Sequence, residues 1–131
     1  MIERIERTEE EWKRILSPET FRIMRAGGTE PPFDNLYWDN HDDGTYRCKS
    51  CDLTLFDSVD KFDSGTGWPS FTRPVDPEVV QLRRDETFGM VRTEVVCARC
   101  DGHLGHVFDD GPPPTGKRYC MNSASLVFVP R

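Results

Sequence analysis

The sequence predicts a mainly antiparallel β domain behind two short helices, and three observations carry that prediction. Helix start and stop signals are confined to residues 1–28. From Thr29 onward, short β-rich runs alternate with turns rich in Gly, Pro and Asp. Two Cys-x-x-Cys pairs, Cys48/Cys51 and Cys97/Cys100, each end such a run and have the spacing of zinc knuckles. With 131 residues the chain is long enough to bury a core of its own. One domain over 1–131 is therefore expected, divided into a helical segment 1–28 and a zinc-bearing β core 29–131.

Thr8 followed by Glu9, Glu10 and Glu11 has the form of a capping box and predicts a helix through about Leu16. Ser17-Pro18-Glu19 starts a second helix, with Pro at the first helical position, and Ala26-Gly27-Gly28 stops it. Ile15, Phe21, Ile23 and Met24 are the expected core contacts. Pro31 and Pro32 break any helix and open an extended region. Asp42-Asp43-Gly44 then turns into a strand delivering Cys48, and 51–56 leaves the metal as a second strand.

Residues 63–71, with Gly65 and Gly67 beside Trp68, read as a loop suited to close backbone approach. Runs 79–82 and 88–96 form an expected hairpin turning at Arg83-Arg84-Asp85-Glu86 and delivering Cys97. The second cysteine pair mirrors the first, since Cys-Asp is followed by Leu at the same offset in both, at Leu55 and at Leu104. Two knuckles facing one ion follow. A strand at 118–124 and a buried strand at 126–129 end the chain.

Charge and composition exclude several classes of function. The net charge is −6 with no basic stripe, which disfavours nucleic acid as a partner. The N-terminal residues carry no apolar core of signal-peptide length and no stretch reaches the length of a membrane span. A reducing cytoplasm is the expected setting, where paired cysteines are metal ligands more often than disulfides.

Four thiolates close a zinc coordination sphere, so Cys48, Cys51, Cys97 and Cys100 point to a structural ion without an open catalytic position. Unmetallated buried thiols or a redox pair are the alternative. A zinc deaminase is set aside, because Glu94-Val95-Val96 precedes Cys97 where Pro would stand and no His-x-Glu lies upstream. Cys120 is the cysteine the metal leaves unused, and so the candidate nucleophile. Residues i, i+2 and i+4 of a strand share a face, so Arg118 and Asn122 are expected to flank its sulfur. His103 and His106 are candidates to donate a proton or to hold the thiolate, against the alternative that they only brace the zinc loop. His41 reads as a surface bystander. Trp68, between Gly67 and Pro69, is read as an aromatic wall for a methyl or thioether group.

These residues resemble the methionine-R-sulfoxide reductases, the B-type enzymes that repair one epimer of oxidised methionine. The motifs carrying the resemblance are Cys48-x-x-Cys51, the stretch 61–71, Cys97-x-x-Cys100, the stretch 102–111, and Arg118-Tyr119-Cys120-Met121-Asn122-Ser123. The resemblance implies two antiparallel sheets with short N-terminal helices, and a zinc held by the four paired cysteines away from the active site. It implies Cys120 as nucleophile, with His103, His106, Asp110, Arg118 and Asn122 lining the site and Trp68 holding the sulfoxide methyl. No organic cofactor is expected. Substrates are free or protein-bound methionine-R-sulfoxide, and a monomer is expected. Many members have a resolving cysteine where this chain has Thr66, so thioredoxin or a small thiol is expected to attack the Cys120 sulfenic acid directly.

Two other readings compete. A zinc-stabilised binding module would carry Cys120 as an inert thiol of ordinary pKa, whereas the reductase requires a depressed one. A peroxide-sensing thiol protein would use the same nucleophile on another oxidant.

Overall fold

The computed structural model describes residues 2–131; Met1, the first residue of the expected helical segment, lies outside the described residues. Helix α1 spans Glu9–Ile15 and α2 spans Pro18–Met24. The capping box is reciprocal: the Glu11 amide donates to Thr8 Oγ1 (3.2 Å) and the Thr8 amide to Glu11 Oε1 (2.9 Å). Ser17 caps α2 through the Thr20 amide, and Gly27 takes a φ of 71° just past its end. Ile15 is 55% exposed instead of buried. Trp12, one turn earlier, fills the core on the inner face of α1, and the Arg25 guanidinium stacks 3.7 Å from its ring.

Two antiparallel sheets follow, as expected. The smaller has the order β2-β1-β9, with β1 Gly44–Cys48, β2 Thr54–Asp57 and β9 Leu126–Pro130. The larger has the order β3-β4-β8-β7-β6-β5: β3 Lys61–Phe62, β4 Ser70–Phe71, β5 Val80–Asp85, β6 Arg92–Cys97, β7 His103–Phe108 and β8 Arg118–Met121. Aromatic rings join the sheets. Phe56 of β2 stacks on Phe71 of β4 at 4.4 Å, and Tyr46 of β1 meets Phe71 edge-on at 5.1 Å. All three rings are fully buried. Each such pair contributes about 1 kcal/mol beyond its buried area, so the seam between the sheets is a strong part of the core.

Three strand expectations need correction. Arg83, Arg84 and Asp85 remain in β5, paired with Glu94, Thr93 and Arg92, and the chain turns only at 86–90. β5 is an edge strand with a solvated face, so charge there marks exposure and not a turn. The loop 63–71 ends in β4, because Ser70 and Phe71 pair with Cys120 and Tyr119. The closing strand β9 lies at the edge of its sheet, and only Leu126 is fully buried.

Candidate functional site

Register places four side chains in one row across the larger sheet. Cys120 of β8 stands opposite Ser70 of β4 and His106 of β7, and His106 stands opposite Glu94 of β6. Directly opposed residues share a face with Cβ atoms about 5 Å apart, so the thiol has an imidazole on one side and a hydroxyl on the other. Arg118, two residues back, shares that face and lies 4.4 Å over the Phe108 ring. Asp110 holds its guanidinium through two bonds, at 2.9 and 3.2 Å. Close pairing of β7 with β8 requires Gly105, where a Cβ would lie 2.1 Å from the Cys120 carbonyl oxygen.

A β-bulge brings in the second histidine. Gly105 pairs with Val95 while His103 pairs with Val96, which leaves Leu104 as the extra residue. His103 thereby joins the face of His106, with ring centroids 5.4 Å apart, and Leu104 is turned into the core. Each ring meets a carboxylate. His103 Nδ1 is 2.7 Å from Glu94 Oε2, and His106 Nε2 is 2.8 Å from Asp85 Oδ2. Neither carboxylate belongs to the motifs read from the sequence. They come from β6 and β5, 9 and 21 residues before the histidines they meet, and only the strand register brings them into reach.

The row opens on a half-open pocket of about 470 Å³ lined by Cys120, His103, His106, Arg118, Asn122 and Trp68 among others. Asn122 is buried; its Oδ1 accepts from the Thr29 hydroxyl (3.1 Å) and the Glu30 amide (3.4 Å), and its own amide donates to Leu104 O. The half-buried Trp68 donates its indole N–H to Glu30 O at 3.0 Å. Glu30 therefore ties the indole to the segment that follows β8. Its carboxylate also accepts the amides of Ser123 and Ala124, and burial pushes its pKa up. Asp110 is the one expected site residue outside the pocket wall; it reaches the site through Arg118. Phe88 and Arg92, from the turn and start of β6, line the pocket and were not foreseen. His41 pairs with Asp63 on the surface.

The electrostatics correct one expectation. Burial pushes the Cys120 thiol up, while Arg118 and hydrogen bonds from Thr66, Arg118 and Ser70 pull it back. Burial also lowers His106, against the raising effect of Asp85. Burial thus favours the neutral thiol and the neutral His106 imidazole over a preformed thiolate.

The other four cysteines form a separate cluster with internal symmetry. Cys48 N donates to Leu53 O and Asp52 N to Cys48 O; Cys97 N donates to Gly102 O and Asp101 N to Cys97 O. Asp52 and Asp101 both take positive φ, 68° and 63°, which closes each knuckle. The Cys48–Cys100 and Cys51–Cys97 Sγ pairs are 3.7 and 3.5 Å apart, and all four sulfurs lie within 4.8 Å of one another. A tetrahedron with Zn–S bonds of about 2.3 Å has edges of about 3.8 Å, so the quartet fits zinc. Arg25 adds support: it donates to Cys100 O at 2.6 Å, and its buried Nε and Nη2 have no acceptor among the described residues. Cys100 is held toward the thiolate by hydrogen bonds from Cys48, Cys51 and Cys97, with Arg25 helping. A cation there suits an anionic four-thiolate centre.

Fold and site together define a class, the SelR-domain proteins, whose family pattern matches residues 16–130. The chain is 58% identical over 125 residues to the peptide methionine sulfoxide reductase MsrB of Thiobacillus denitrificans, covering 95% of each chain. It is 55% identical over 123 residues to the protein of the same name from Acinetobacter baylyi, covering 94% of this chain and 88% of that one. The corresponding Pseudomonas syringae protein is 55% identical over 130 residues, 99% of each. The chain belongs to the peptide methionine sulfoxide reductase MsrB family.

Proposed function

We propose that this protein reduces methionine-R-sulfoxide, free or in proteins, to methionine, with Cys120 as nucleophile. The observation that carries the reading is the opposed pair His106 and Cys120 on the floor of a pocket walled by Trp68. One domain over 1–131 is part of the proposal, with the site in the β core 29–131.

Reduction of a sulfoxide by a thiol needs a proton on the departing oxygen. The neutral Cys120 thiol carries that proton in the resting state. As its sulfur attacks the sulfoxide sulfur, the thiol proton passes to an imidazole, and His103 or His106 protonates the sulfoxide oxygen. The oxygen leaves with Cys120, so the sulfoxide is reduced by two electrons and Cys120 is oxidised to sulfenic acid. Arg118, anchored by Asp110, favours the developing thiolate. Asn122 fixes the strand end below the substrate, and the Trp68 ring packs on the sulfoxide methyl.

Regeneration uses an external thiol, because Thr66 offers no sulfur and the quartet is committed to a structural zinc. That thiol, from thioredoxin or a small reductant, attacks the sulfenic acid, expels water and forms a mixed disulfide; a second thiol releases Cys120. Cys48, Cys51, Cys97 and Cys100 would hold the zinc, which would serve to cross-link the two knuckles. No helix among the described residues is long and apolar enough to cross a membrane. The cytoplasm and a monomeric state complete the proposal.

A single turnover without reductant tests it. Dimedone is expected to label Cys120 after the R-epimer and not after the S-epimer, with zinc retained. Zinc release with a disulfide from Cys120 to a ligand cysteine would refute the cycle, and equal labelling by hydrogen peroxide alone would favour a peroxide sensor. Unlabelled, unreactive Cys120 would favour the binding module.

A further inference from the structure

We propose that Asp85 and Glu94 are positioning residues that fix the two pocket imidazoles in opposite tautomers, His106 protonated at Nε2 and His103 at Nδ1. The inference deepens the reductase reading and rests on it for its catalytic meaning. Asp85 is the stronger case. Its Oδ1 accepts the Thr87 amide (3.0 Å) and the Thr87 hydroxyl (2.8 Å), while Oδ2 faces Arg92 (3.3 Å) and His106 Nε2 (2.8 Å). Four donors fill the acceptor sites of a carboxylate. The hydrogen between Asp85 and His106 therefore belongs to the ring, and His106 keeps Nδ1 unprotonated.

Glu94 does the same from the other side. Its Oε2 lies 2.7 Å from His103 Nδ1, and the contact with His103 holds its carboxylate below the usual range. An ionised carboxylate has no hydrogen to give, so His103 carries the proton at Nδ1 and leaves Nε2 free. Opposite nitrogens thus remain available on two adjacent rings. Either bare nitrogen can take the thiol proton and then deliver that same proton to the sulfoxide oxygen, while the other ring nitrogen stays bonded to its carboxylate. The charged and titratable groups around the pair are Arg83 and Asp85 from β5, Arg92 and Glu94 from β6, and Arg118 and Cys120 from β8.

The experiment is long-range proton–nitrogen NMR on histidine-labelled, zinc-loaded protein above the histidine titration range. His106 is expected as the Nε2–H form and His103 as the Nδ1–H form; either ring in the other form would overturn its half of the proposal. In Asp85→Asn and Glu94→Gln the corresponding ring is expected to show both tautomers. The neutral-pH kcat should fall roughly 10²- to 10⁴-fold with KM nearly unchanged. Because Asp85 raises His106, the His106 limb of the pH profile moves to lower pH in Asp85→Asn. Unchanged tautomers and an unchanged profile in a folded variant would overturn it. The expected tautomers in a protein without sulfoxide turnover would support the assignment and count against the reductase reading alone.

Discussion

His103 and His106 stand three apart on one strand, a spacing that places side chains on opposite faces, yet their rings lie 5.4 Å apart on the same face. The bulge at Leu104 in the β6–β7 pairing makes the difference, and on the other side of β7 Gly105 permits the close contact with β8. Gly105→Ala is therefore expected to cost about 3 kcal/mol by forcing the strands apart. Urea unfolding measures the loss, and turnover should fall with it. An unchanged midpoint would mean that the backbones do not approach this closely.

Arg118 favours the Cys120 thiolate against burial. Arg118→Ala is expected to slow alkylation of Cys120 by iodoacetamide roughly ten-fold at neutral pH. Asp110→Asn should have a smaller effect in the same direction, because Asp110 is 66% exposed and acts only through Arg118. Faster alkylation in Arg118→Ala would show that the guanidinium does not act on the sulfur.

Thr66 lines the same pocket as Cys120, which brings the loop 63–69 to the thiol. Thr66→Cys is expected to turn the external cycle into an internal one. After one turnover, mass spectrometry should find a 66–120 disulfide in place of a sulfenic acid. A persistent dimedone adduct on Cys120 would show that the loop stays out of reach.

Removal of a knuckle ligand tests the zinc. Cys97→Ser is expected to lose the bound metal and about 3 kcal/mol of stability, roughly 10 °C in Tm at this chain length. Metal analysis and calorimetry check both. Retained Tm after complete chelation from the wild-type protein would show that the knuckles hold without an ion.

Glu30 gives a signed pH dependence. Its pKa is raised by burial, so the folded state binds the proton more tightly than the unfolded chain does. The stability tied to it is full below the ordinary glutamate value and is lost as pH rises through the raised one. Glu30→Gln should cost about 1–3 kcal/mol in mild acid, because one of the Ser123 and Ala124 amides loses its acceptor. The gap to wild type is expected to narrow as pH rises through that window. A gap that widens would show the anion to be the favoured form.

Local chemistry was legible in the residues themselves. Thr8 and Glu11 cap α1, Ser17 and Pro18 start α2, and Gly27 ends it, because a cap needs only neighbours within four positions. The mirrored knuckles were equally readable, since each closes on itself through Asp52 or Asp101. The proposal of Cys120 as nucleophile came from counting cysteines against a four-thiol cluster, and the facing of Arg118 and Cys120 from strand periodicity.

Tertiary structure decided what the exact register between paired strands controls. The shared face of the two histidines depends on a bulge, and a bulge exists only relative to a partner strand. Asp85 and Glu94 reach their imidazoles because β5, β6 and β7 lie side by side, which no window of sequence encodes. The raised thiol of Cys120 is likewise a property of burial, and burial is set by everything that folds over the sulfur rather than by the residues beside it.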